Sequence, residues 1–83
     1  MNQFIIEKYI NKLTKQDIIN YTSKQNIPLT TTELDIIYNY IKTKYKDFLA
    51  GNREKIFEEL EQKITPQTYQ KIIELYNLYQ NKI

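Results

Sequence analysis

Three stretches of this chain share one pattern: an aliphatic residue, a threonine, two small or polar residues, a polar third, and a second apolar residue. They are Leu13-Thr14-Lys15-Gln16-Asp17-Ile18, Leu29-Thr30-Thr31-Thr32-Glu33-Leu34 and Ile64-Thr65-Pro66-Gln67-Thr68-Tyr69. In each, the threonine is an N-cap, its hydroxyl accepting a hydrogen bond from a first-turn amide that has no intrahelical partner. The apolar pair five positions apart closes as a hydrophobic staple across the cap. Such signals state where helices begin and say little about chemistry.

The caps, one glycine and two prolines predict an all-α chain with short connections, a compact bundle of about five short helices with one long central helix among them. The first helix covers Met1 to Lys12, with Ile6, Tyr9, Ile10 and Leu13 on one face at helical spacing. The second runs from Lys15 to about Gln25 and stops before Ile27-Pro28-Leu29, because proline disfavours helix in the residue before it. The third, Thr31 to about Leu49, is the spine, with Leu34, Ile37, Ile41, Tyr45 and Phe48 on its stripe and Tyr38 alongside. Gly51 is its left-handed terminator, and Asn52 caps a fourth helix from Arg53 to Lys63 that buries Ile56, Phe57 and Leu60. Thr65 and Pro66 open the fifth as cap and first helical position. The unequal spacing of the three caps excludes a solenoid repeat.

Eighty-three residues form one helical domain, 1–83, and lack the length for a second. No cysteine is present, so there is neither disulfide framework nor thiolate ligand, and a reducing cytoplasm is the expected compartment. No apolar run approaches the roughly 20 residues that span a bilayer, and Glu7, Lys8, Asn11 and Lys12 interrupt any signal-peptide core. A soluble protein is therefore expected. A formal charge of +2 implies neither a nucleic-acid nor a membrane partner without a local cluster.

The absence of histidine and cysteine removes the commonest general base, the commonest metal ligand and the strongest neutral-pH nucleophile. The acidic residues have structural readings. Glu33 is third in a capping box, Glu54 lies in a first turn where the helix dipole favours it, and Glu59 can pair with Lys63 one turn on. A single glycine cannot build a phosphate loop. We therefore expect no enzyme, no cofactor and no metal, and no small-molecule substrate is evident.

Two segments retain functional interest. Lys42, Lys44 and Lys46, interleaved with Tyr38, Tyr40 and Tyr45, have the texture of a nucleic-acid surface, with Lys42, Lys46 and Tyr45 as its contacts. Lysines near a helix C-terminus also oppose its dipole, which is the simpler account. In the last helix, Tyr69, Ile72, Tyr76, Tyr79 and Ile83 form a short coiled-coil-like seam, while Leu75 and Leu78 lie off it. Ile36 and Tyr40 form a similar off-stripe pair on the third helix. These four residues are either core contacted from two sides or an apolar interface for a protein partner or self-association. A protein-interaction module acting through an apolar, tyrosine-rich helix face is the expectation, with a homodimer as one form of it and nucleic-acid binding as the alternative.

The order of Asn11-Lys12-Leu13-Thr14, Asp17-Ile18-Ile19-Asn20-Tyr21, Ile27-Pro28-Leu29-Thr30, Phe48 before Asn52-Arg53, and Ile64-Thr65-Pro66-Gln67-Thr68 resembles the YqfT-like family of short proteins from low-GC Gram-positive bacteria. The resemblance covers nearly the whole chain and implies a cytoplasmic bacterial protein. Its motifs are caps and core positions, so it supplies no activity and no functional residue.

Overall fold

The computed structural model describes residues 3–80. Five helices follow in order: α1 (Gln3–Lys12), α2 (Lys15–Lys24), α3 (Thr31–Leu49), α4 (Arg53–Glu61) and α5 (Pro66–Gln80), with no strand among the described residues. The expected all-α fold with a long third helix is what forms. Two positions of the C-terminal seam contribute no observation: Ile83 lies outside the described residues, and the Tyr79 side chain is not described.

The first two threonines cap as local chemistry demands. Thr14 Oγ1 accepts from the Asp17 amide at 3.1 Å while Asp17 Oδ2 accepts from the Thr14 amide at 2.9 Å, a reciprocal box that satisfies two otherwise orphaned donors. Thr30 and Glu33 repeat it at 3.0 and 3.1 Å. The staples bury Ile18 and Ile64.

Two helices end in the same six-residue closure. After α3, the Asn52 amide donates to the Asp47 carbonyl at 3.0 Å and the Gly51 amide to the Phe48 carbonyl at 3.2 Å, a Schellman motif that requires the positive φ of 104° at Gly51. After α2, Ile27 and Asn26 donate to Thr22 and Ser23, and Asn26 takes the left-handed position at φ 57°. Asparagine tolerates that conformation better than other side chains bearing a Cβ.

Three local expectations fail. Asn52 makes no side-chain cap bond to α4; its backbone is taken up in closing α3, and Arg53 Nε instead donates to the Phe48 carbonyl at 3.2 Å. Helix α4 ends at Glu61 rather than Lys63, because Ile64 must turn inward to begin the third staple and is buried. Glu59 turns to accept from the Tyr40 hydroxyl at 3.2 Å, and Lys63 lies over the Tyr40 ring at 5.2 Å, in place of an ion pair between them.

Helix α3 packs against α1, α2 and α4, and α4 carries α5. Among the described residues no Cα of α5 comes within 8 Å of one in α1, α2 or α3. The backbone of the last helix therefore stands apart from α1, α2 and α3, and it is joined to them by side chains, through α4 and at its own N-terminus.

Candidate functional site

A half-open cavity of about 610 Å³ occupies the middle of the fold. Every helix contributes the apolar stripe that its periodicity defines: Ile10 from α1, Ile18 from α2, Ile41 from α3, Phe57 from α4 and Leu75 from α5 are examples. The stripes converge without filling the space between them. Only Ile18, Ile27, Leu60 and Ile64 are buried apolar residues among the described residues. Natural interiors are packed to crystal-like density, and a space of this size makes the cavity the candidate site.

Among the described residues no lysine or arginine lines the cavity, and the one acidic lining residue, Asp17, is already committed to capping α2. Polarity at the walls comes mainly from tyrosine hydroxyls. Tyr9 and Tyr21 stand at the opening, 67% and 41% exposed, with the rest of each ring against the apolar wall. Tyrosine suits such a position because it has an apolar body and a polar tip. Deeper in, Phe48, Phe57 and Tyr76 meet edge to face, with ring centroids 5.1 to 5.7 Å apart, joining α3, α4 and α5. Arg53 closes the outside of this cluster, its guanidinium 5.2 Å from the Phe48 ring centre and 3.4 Å from the Tyr76 hydroxyl.

The wall formed by α5 is positioned by one buried carboxylate. Glu33 is 4% exposed. Its Oε1 accepts from the Thr30 amide at 3.1 Å, and its Oε2 accepts from the Thr65 amide at 2.8 Å and from the Thr65 hydroxyl at 3.0 Å. In the third cap the residue three positions on is Thr68, which has no carboxylate to return to its own N-cap amide. Glu33 supplies that acceptor from another helix and so caps α3 and α5 together. Thr68, fully buried, donates its hydroxyl to the Pro28 carbonyl at 3.0 Å and ties the α2–α3 connector into the same knot. Burial alone pushes the Glu33 carboxyl toward a higher pKa, but the bonds from the Thr65 and Thr30 amides and the threonine hydroxyls outweigh it and hold the pKa below the ordinary value.

The residues singled out by sequence divide between several surroundings. Tyr40 and Leu75 line the cavity, Leu75 and the half-exposed Leu78 line a shallow recess beside Ile27, and Ile36 is half-buried on α3 away from both. None of the four is fully buried. Of the lysine segment, Lys42 is occupied in packing α1, while Lys44 and Lys46 are exposed. Lys42 Nζ donates to the Ile10 carbonyl at 2.6 Å and the Asn11 carbonyl at 3.2 Å, capping the end of α1. Tyr45 lines the cavity; burial, then the charge and hydrogen bond of Glu7, raise its pKa. Lys46 lies 6.0 Å over the Tyr45 ring and stays exposed.

A family model matches residues 1–80 and describes a protein of unknown function, DUF2624. The chain belongs to the DUF2624 family. No curated protein and no solved structure matches it. Membership assigns no chemistry to the cavity, and among the described residues no group of three or more histidine, cysteine, aspartate or glutamate side chains is placed to hold a metal ion. Among the described residues no helix is long and apolar enough to cross a membrane.

Proposed function

We propose that this DUF2624 protein is a non-enzymatic interaction module that receives the apolar face of a protein helix in its central cavity. The observation that carries the reading is the cavity itself: a half-open space of about 610 Å³, walled by apolar stripes from five helices and free of basic side chains. Helix-in-groove recognition needs an apolar trough that takes a few large side chains, with specificity set at a polar rim, and Tyr9 and Tyr21 form such a rim. The expectations for Tyr40 and Leu75 fit as wall residues, while Leu78 lies outside the cavity beside the α2–α3 connector. The alternative, nucleic-acid binding by Lys42, Lys46 and Tyr45, draws less support because Lys42 is spent on the carbonyls of α1. We place the module in the cytoplasm and read it as YqfT-like on its motif order.

A photo-crosslinking residue at Leu75, compared with one at the exposed Thr43, tests this in a lysate. Crosslinks to protein from position 75 alone, unaffected by nuclease and retained in high salt, support the reading. Crosslinks that vanish with nuclease, or that form equally from position 43, sink it.

A further inference from the structure

We infer that α5 is a movable wall, a lever that pivots on the knot of Glu33, Thr65 and Thr68 and is held against the cavity at its far end by Tyr76, so that release of Tyr76 widens the cavity mouth. The inference rests on the docking function proposed above for its purpose, and it names the wall that yields as a partner enters. Burial gives the first reason. Thr68 has no exposed surface, Glu33 is 4% exposed, and Ile27 and Ile64, next in sequence to Pro28 and Thr65, are buried as well. From Tyr69 to Leu78 no residue of α5 is buried. Segments with few buried side chains are those that open at the least cost. The helix is thus firmly held at one end only.

The second reason is how α5 meets the spine. Helices packed with their axes roughly 8 to 10 Å apart bring Cα atoms well inside that distance, yet among the described residues no Cα of α5 comes within 8 Å of one in α1, α2 or α3. Side chains bridge the gap. Tyr76 meets Phe48 of α3 at 5.7 Å and Phe57 of α4 at 5.1 Å between ring centroids, and its hydroxyl lies 3.4 Å from the Arg53 guanidinium. These contacts all pass through one residue, which lies roughly 16 Å along the helix from Thr65. Ile72 and Leu75, which line the cavity, fall between this catch and the knot. A rotation of about 20° at the knot would carry Asn77 outward by roughly 6 Å and take that wall with it. The bonds of Glu33 to Thr65 and of Thr68 to the Pro28 carbonyl lie at the pivot and stay in place.

The chain has no cysteine, so introduced pairs carry spin labels without background. Double electron–electron resonance between labels at Thr43→Cys and Asn77→Cys reads the far end of α5, and labels at Thr32→Cys and Gln67→Cys read the pivot; all four positions are exposed. Tyr76→Ala, with far-UV circular dichroism to confirm folding, should lengthen the far-end distance by roughly 6 Å, or add a component that much longer, and leave the pivot distance at its wild-type value. Tyr76→Leu keeps apolar volume and should populate the longer distance to a smaller extent; it decides the matter where Tyr76→Ala loses helix content. A far-end distance unchanged in the folded variant, or a pivot distance that changes with it, overturns the inference. Loss of helix content in both variants also overturns it, because a catch releases a helix that stays folded. The labelled chain is measured alone, so the lever can fail while the crosslinks from position 75 stand, and the crosslinks can fail while the lever moves.

Discussion

Replacing Glu33 removes one side chain and uncaps two helices. Glu33→Ala deletes three hydrogen bonds to an ionised acceptor, from the Thr30 amide, the Thr65 amide and the Thr65 hydroxyl. Bonds to a charged partner contribute about 1.5 to 3 kcal/mol each, but the ionised carboxylate is also relieved of its desolvation cost, and water entering the site can satisfy part of what is lost. A net loss of about 3 kcal/mol is expected, near the sum of two lost caps at about 1 to 2 kcal/mol each. A domain of this size has roughly 4 to 12 kcal/mol in total, and the melting temperature should fall by about 12 to 24 °C. Glu33→Gln should lose about 2 kcal/mol, because its carbonyl serves one amide while its own NH2 meets the other, donor against donor. The pH dependence checks the cause. The folded pKa of Glu33 is lowered from the ordinary 4.5, so its contribution is fully present above that value and is lost as pH falls through the lowered folded pKa. In urea melts the gap between wild type and Glu33→Gln should stay constant near neutrality and narrow below about pH 4.5. A Glu33→Ala variant within about 0.5 kcal/mol of wild type, or a gap that does not change with pH, would refute the double-cap account.

Three smaller predictions follow from particular contacts. Gly51→Ala should destabilise by about 1 to 2 kcal/mol in thermal melts although open space surrounds the position, because the φ of 104° is strained for any Cβ; Asn26→Gly, at φ 57°, should be neutral or slightly stabilising by the same measure. Lys42→Met should cost about 1 kcal/mol by removing the ammonium from the α1 carbonyls, and hydrogen exchange should show the extra fraying confined to α1. Tyr69 has its pKa raised by burial, then by Glu61 and Glu58; a raised pKa leaves stability intact below pH 10 and lowers it as pH climbs beyond, so alkaline melts should show that loss reduced in Tyr69→Phe.

Helix starts and the length of α3 were legible because caps, staples and the Gly51 stop are local: each is decided within six residues of chain. The stripes were legible for the same reason. What they do not carry is whether facing stripes meet, and so the cavity among Ile41, Phe57 and Leu75 could not be read from periodicity. Glu33 shows the boundary most clearly. Its role in the Thr30 box followed from spacing, but its bond to Thr65 spans 32 positions. One signal was present: with Thr68 rather than an acid as the third residue of its box, Thr65 had no local acceptor for its amide and required one from elsewhere. Lys42 is a similar case, a side chain whose partners on α1 are 31 and 32 residues away. Asn26 before Ile27-Pro28 is a local signal of the same kind as Gly51, since asparagine at the end of a helix is a left-handed terminator second only to glycine.

The proposed docking function requires the apolar cavity to be open and accessible in solution. Titration with a neutral apolar fluorophore, N-phenyl-1-naphthylamine, measures this directly at protein concentrations low enough to hold the chain monomeric. Saturable binding of one probe per chain is predicted, lost in Leu75→Trp and retained in Thr43→Trp. Absence of binding, or equal binding by both variants, would contradict it.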